Sequence, residues 1–175
     1  FPGKTTQNEY YTYTYDHAGR LLTKVYKLNS GSEILLADNE YDELGRLKSN
    51  KRNGSINLKS NYTYNVRSLV KTIANPLFSQ TLFYQDNYAG NIPCYNGNIS
   101  AMNWTTYNDK NRGYTFNYNS ISQLTKVSYF EAGINNTNYS TEYAYDNHGN
   151  ITSLIRNGRT GTKIFGDERD RQRRN

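Results

Sequence analysis

The chain of 175 residues is poor in the residue types that form disulfides, metal centres and membrane spans. Its one cysteine, Cys94, cannot form a disulfide within the chain, and its two histidines are His17 and His148. No stretch approaches the roughly 18 apolar residues of a membrane-spanning helix, and no signal sequence with a charged and then an apolar part opens the chain. We therefore expect no membrane span in this segment, and because it begins with Phe1 rather than methionine, we expect it to be part of a larger protein.

Apolar residues are also scarce, at 35% of the chain, and the mean hydropathy is −0.94. These values approach those of disordered chains, but an aromatic fraction of 14% indicates a folded protein. The 18 tyrosines, 25 asparagines and 13 glycines fit a thin sheet with many tight turns, in which tyrosine replaces an aliphatic core. The net charge of +6 is modest and most lysines and arginines lie beside turns, so we expect no nucleic-acid partner.

A sequence motif of the form Tyr-Asp-x-x-Gly-(Arg/Asn)-(Leu/Ile) occurs three times. Such repeated units stack and bury their apolar faces against one another. The function is therefore expected in an assembled surface, and the candidate residues are structural. The three copies comprise Tyr13, Tyr15, Asp16, Gly19, Arg20 and Leu21; Tyr41, Asp42, Gly45, Arg46 and Leu47; and Tyr143, Tyr145, Asp146, Gly149, Asn150 and Ile151.

Each copy predicts a β-hairpin. Residues 11–15 alternate tyrosine with threonine, which is the period of a strand. Asp16 can accept hydrogen bonds from backbone N–H groups two residues on, and Gly19 can take a positive φ that closes the turn. A second alternating run follows, in which Leu21 and Thr23 are expected on the same face.

Weaker copies occupy the stretch between the full ones. Tyr64 is followed by Asn65 in the aspartate position, but the glycine is lost, and Tyr118 is likewise followed by Asn119. We predict an array of hairpins over residues 10–160, preceded by an incomplete segment at 1–9. Residues 161–175 form a mixed-charge tail without the repeat, which we expect to be disordered or a non-native end.

The three full copies resemble the YD-repeat, or RHS-repeat, family of bacterial proteins. Residues 62–67, 75–78 and 95–100 add to this resemblance. It implies an all-β fold in which stacked antiparallel hairpins form a curved, spiralling sheet, as a fragment of a hollow shell. In bacterial polymorphic toxins and insecticidal complexes, such a shell encloses a toxic C-terminal polypeptide. The Asp-Pro signature of the family's self-cleaving domain is absent from this chain.

The resemblance leads to two functional hypotheses. The first is a structural segment of a secreted or cell-surface bacterial shell, whose partners are neighbouring repeats of the same polypeptide and an enclosed toxin or other cargo. The second is an adhesion module that binds carbohydrate or another cell-surface partner. In that case Trp104 is the candidate for stacking on a sugar ring, and packing against the sheet is its alternative role.

The sequence offers no candidate catalytic, cofactor-binding or metal-binding residue. His17 and His148 lie at variable turn positions, and Cys94 follows a proline without a base nearby in the sequence. The repeated aspartates are unlike a catalytic pair, because catalysis needs one special site whereas every hairpin needs a turn-forming residue. We predict that the chain is not an enzyme and requires no cofactor.

Overall fold

The computed structural model describes residues 6–158 and 161–165. Within these ranges, the side chains of residues 135–137 and 161–165 are not described. The described part consists of strands, apart from one 3₁₀ helix at Ile56–Leu58. The strands are β1 (Glu9–Tyr15), β2 (Leu21–Leu28), β3 (Ile34–Tyr41), β4 (Leu47–Lys51), β5 (Lys59–Tyr64), β6 (Val70–Asn75), β7 (Phe78–Phe83), β8 (Ala101–Thr106), β9 (Arg112–Tyr118), β10 (Leu124–Glu131), β11 (Ile134–Tyr145), β12 (Ile151–Gly158) and β13 (Gly161–Phe165).

The order of the strands in the sheet is their order along the chain. Strand pairs such as β1–β2, β3–β4 and β11–β12 are antiparallel. The prediction of an all-β fold built from stacked antiparallel hairpins is therefore confirmed. Strand β13 extends to Phe165, and the rest of the predicted tail, 166–175, lies outside the described residues, as do residues 1–5 of the leading segment.

The chain divides into two compact units, Phe1–Ser79 and Gln80–Asn175. In the described part of the first unit, Ser49 is the one buried residue, and it is polar. Threonine pairs on the surface link neighbouring strands of this unit. The hydroxyls of Thr14 and Thr23 lie 2.6 Å apart on β1 and β2, and those of Thr63 and Thr72 are equally close on β5 and β6.

The second unit contains the buried apolar side chains of the described residues: Tyr84, Ala101, Tyr129 and Phe130. Phe130 is 1% exposed and packs beside Gly113 on the neighbouring strand β9. A Cβ atom at Gly113 would lie 2.2 Å from Phe130 Cζ and 2.3 Å from the Met102 carbonyl oxygen. The sheet is therefore closely packed at this point, and the absence of a side chain at Gly113 allows it.

Each repeated hairpin contains a β-bulge just after its turn. In the first hairpin Tyr15 lies opposite Leu21, whereas Thr14 lies opposite Thr23, so Leu22 is an extra residue on β2. The same irregularity occurs in the hairpins β3–β4, β5–β6, β9–β10 and β11–β12. The expectation that Leu21 and Thr23 share a face is thus wrong, because an inserted residue interrupts the two-residue period.

Candidate functional site

The first repeated turn is held by the carboxylate of Asp16. Its Oδ1 atom accepts hydrogen bonds from the backbone amides of Ala18 and Arg20, each at 2.9 Å. Its Oδ2 atom accepts a 2.6 Å bond from Arg20 Nε. The backbone amide of Gly19 donates to the Asp16 carbonyl at 3.0 Å, and Gly19 has φ of +77°. The carboxylate thus satisfies the amides that the turn leaves without strand partners.

The same arrangement occurs at four further turns. The residues in the aspartate position are Asp42, Asn65, Asn119 and Asp146, and each side-chain Oδ1 accepts backbone amides two and four residues on. Where the glycine is missing, Ser68 and Ser122 adopt φ of +61° and +65°. These two serines could not be identified from the sequence, because nothing in their residue type indicates a positive φ.

The hydrogen bonds of the turn also change the acidity of its carboxylate. The Arg20 backbone amide, together with the Arg20 side chain and the Ala18 amide, lowers the pKa of Asp16 below its ordinary value, against a smaller opposing effect of burial. The Asn150 side chain and backbone lower the pKa of Asp146 in the same way. Both carboxylates therefore serve as acceptors fixed in their charged form.

Tyrosine hydroxyls connect four of the repeats to the repeat before them. The second tyrosine of a repeat donates a hydrogen bond to a backbone carbonyl just after the preceding turn. We call these the inter-repeat bonds: Tyr41 to Leu21 at 3.0 Å, Tyr64 to Leu47 at 2.8 Å, Tyr118 to Ile99 at 2.8 Å and Tyr145 to Leu124 at 2.7 Å. The tyrosine before each of these turns therefore joins its hairpin to the preceding one, and it also pairs with the residue just after its own turn.

The arginine of a repeat contacts the next repeat too. Arg20 Cζ lies 4.7 Å from the centre of the Tyr41 ring, and Arg46 Cζ lies 4.6 Å from that of Tyr64. A Cβ atom at Gly45 would lie 2.9 Å from Arg20 Nη1, so the glycine leaves room for this guanidinium.

Related contacts occur where the residue types differ. Arg46 Nη1 donates to the hydroxyl of Ser68, at 3.2 Å, in the turn that lacks glycine. In the last pair of turns, Gln123 occupies the arginine position, and its Nε2 atom would lie 3.2 Å from a Cβ atom at Gly149. A small residue at the glycine position thus receives the side chain that projects from the preceding repeat.

His17 and His148 are exposed, and burial raises the pKa of the Cys94 thiol. In the described part of the chain, no group of three or more His, Cys, Asp or Glu residues could hold a metal ion. No helix among the described residues is long and apolar enough to cross a membrane. Trp104 is partly exposed, and its ring is tilted against Tyr114 at 5.6 Å between ring centres.

A polar depression of about 370 Å³ lies on the second unit. Its lining includes Thr115, Asn117 and Ser128, together with Lys126 and Glu142. Lys126 Nζ lies 2.8 Å from Glu142 Oε1, so its two charges are paired with each other. The lining of this depression is mainly polar, unlike the apolar lining of a usual small-molecule site.

Comparison with known proteins supports the fold. No family model matches the chain, and no curated protein matches it. Among solved structures, it is similar to the crystal structure of TcdB2-TccC3-Cdc42, with a TM-score of 0.66 and 16% identity over 90% of this chain. It is similar to that of TcdB2-TccC3-TEV with a TM-score of 0.65 and 15% identity over 89% of this chain. The matched region is 8% of each of those chains.

Proposed function

We propose that this chain is a wall segment of a YD-repeat shell, whose role is to separate an enclosed polypeptide from the surroundings. The inter-repeat bonds are the observation that carries this proposal, because within each of the two compact units they join successive repeats in a fixed register. Two further observations support it. The repeated motif resembles that of the YD-repeat family, and the fold is similar to that of the TcdB2-TccC3 structures.

We propose that the repeated motif has an architectural role and no catalytic one. Asp16 and Asp42 bind backbone amides and arginine at successive turns, where each carboxylate is occupied by its own hairpin. Threonine pairs and tyrosine hydroxyls link the strands and repeats of the first unit, whose described part contains no fully buried apolar side chain, as is expected of a wall made of one sheet. We further propose that the protein is secreted or displayed on a bacterial surface, and fractionation of the producing cells tests this location.

Protease protection tests containment in the longer polypeptide that includes this segment. We expect the enclosed polypeptide to resist protease in native buffer and to be cleaved at the urea concentration at which the wall unfolds. A destabilising Gly113→Ala substitution in the wall should shift both midpoints downward together. Cleavage of that polypeptide in native buffer, or a cleavage midpoint that stays fixed while the wall's unfolding midpoint moves, would contradict the proposal.

A further inference from the structure

A pair of tyrosine rings lies on one face of the first hairpin. Tyr11 of β1 is directly opposite Tyr26 of β2, and the centres of their rings are 5.2 Å apart, with an angle of 45° between the ring planes. Tyr11 is 46% exposed and Tyr26 is half-buried, so an oxidant in solution can reach the pair. At this separation, ordinary rotations of exposed side chains are enough to bring carbon atoms of the two rings together.

A proton acceptor lies beside the more exposed ring. The Tyr11 hydroxyl donates a hydrogen bond to Glu9 Oε2 at 3.3 Å, from a carboxylate two residues earlier on the same face of β1. A phenol that loses an electron becomes strongly acidic and gives up its hydroxyl proton, which this carboxylate can accept. The Lys24 ammonium lies 5.0 Å from the centre of the Tyr11 ring and disfavours a positive charge there, but proton loss leaves a neutral radical.

Two other tyrosine pairs are less suited to this chemistry. Tyr114 and Tyr139 each have ring centres 5.4 Å from that of Tyr129. Tyr129 is 5% exposed, which limits access of an oxidant. Its hydroxyl is hydrogen-bonded to the Arg112 side chain, and a guanidinium cannot accept a proton. Proximity of the rings, access from solution and a proton acceptor therefore coincide at Tyr11 and Tyr26.

We propose that Tyr11 and Tyr26 are a site of oxidative cross-linking, at which a one-electron oxidant such as the oxidised haem of a peroxidase forms a dityrosine. The oxidant removes one electron from each ring. Glu9 takes the hydroxyl proton of Tyr11, and water takes that of Tyr26. The two radicals join through a new bond between their Cε atoms, and each ring regains its hydroxyl when the displaced ring hydrogen moves to the oxygen. One molecule of hydrogen peroxide takes up both electrons and both protons, and it becomes two molecules of water.

The cross-link would supply a covalent tie between strands that this chain cannot make with disulfides. Cys94 is its one cysteine, and in the described part of the first unit the one buried residue is Ser49. A bond between Tyr11 and Tyr26 closes a loop around the first turn, so it restricts the unfolded chain and keeps β1 beside β2. This role is independent of any enclosed polypeptide.

Treatment of the chain with a haem peroxidase and hydrogen peroxide tests the proposal. We expect a monomer that has lost two hydrogen atoms by mass spectrometry and shows dityrosine fluorescence, with a yield that does not depend on protein concentration. Trypsin should release the peptide 25–27 joined to the peptide that ends at Arg20, and fragment ions should place the bond at Tyr11. The cross-linked monomer should also melt at a higher temperature than the untreated chain.

Three variants provide the controls. Tyr26→Phe should abolish the cross-linked monomer, because phenylalanine has no hydroxyl to oxidise. Tyr13→Phe is the matched control: Tyr13 is 44% exposed but contacts no other tyrosine ring among the described residues, so its loss should leave the yield unchanged. Glu9→Gln should lower the initial rate, because an amide does not accept the proton, whereas Glu33→Gln should not. Circular dichroism of each variant before oxidation checks that it is folded.

Several results would overturn the inference. These are a cross-linked monomer that persists in Tyr26→Phe, a bond placed at other tyrosines, or products that are exclusively linked dimers. A melting temperature of the cross-linked monomer at or below that of the untreated chain would refute the stabilising role. An initial rate unchanged in Glu9→Gln would refute the part assigned to the carboxylate.

Discussion

Gly113→Ala should be among the most destabilising single-methyl additions in this chain. The new Cβ would lie 2.2 Å from Phe130 Cζ and 2.3 Å from the Met102 carbonyl oxygen, and ordinary contact begins near 3.4 Å. To relieve these contacts, either β9 must move by about 1 Å, or both the Phe130 ring and the Met102 carbonyl must move. The carbonyl belongs to the backbone of β8, which is paired with β9, so it cannot move without disturbing that pairing. We expect a loss of about 3 kcal/mol, at the upper end for overpacking. The melting temperature should fall by roughly 6–12 °C.

Thermal and urea unfolding followed by circular dichroism measure this loss. Phe130→Leu in the Gly113→Ala background should give a smaller total loss than the sum of the two single losses, because it removes one of the two clashes. The matched control is Gly19→Ala, where the new Cβ meets nothing within 4 Å and only the φ of +77° is unfavourable. A loss below about 1 kcal/mol for Gly113→Ala, or one no greater than that of Gly19→Ala, would refute the packing described for β9.

Three further outcomes are expected. Gly19→Val should lower the melting temperature more than His17→Val, because Gly19 alone of the two has a positive φ; equal shifts would contradict the turn geometry. Asp16→Asn should be tolerated better than Asp16→Ala, because an amide oxygen keeps the acceptor. Because the folded state lowers the pKa of Asp16, the charged carboxylate stabilises the fold fully above the ordinary pKa of 3.8. This stabilisation is lost as the pH falls through the lowered pKa of the folded state. The melting temperature of both variants should therefore depend less on pH in the acid range than that of the unsubstituted chain. Tyr64→Phe should cost about 0.5–1.5 kcal/mol in urea unfolding, and no loss would argue against the bond to Leu47.

The hairpins could be predicted from the sequence because their determinants are local. Alternation of tyrosine and threonine before Asp16 indicates a strand, and an aspartate followed three residues later by Gly19 indicates a turn with a positive φ. The architecture then follows from repetition, since units that share a turn and strands stack in chain order. These signals require no knowledge of what lies on the next strand.

The contacts between repeats could not be predicted in the same way. The bond from Tyr41 to the Leu21 carbonyl joins residues 20 positions apart, and no property of either residue alone indicates the pairing. The bulge at Leu22 was hidden because alternation in the sequence continues through it. Ser68 replaced a glycine whose loss made the turn look incomplete, although the Ser68 hydroxyl accepts a hydrogen bond from Arg46 of the preceding repeat.

The direction of the inter-repeat bonds bears on how the protein is made. In each of these four bonds the tyrosine hydroxyl donates to a carbonyl that lies earlier in the chain, as Tyr64 does to Leu47. On a ribosome, the acceptor therefore emerges before its donor and can already be held by a closed turn. Because pairing between sequential neighbours keeps loop-closure entropy low, assembly can proceed vectorially from the N-terminal side. Each newly synthesised hairpin can therefore pair with a preceding hairpin that is already folded.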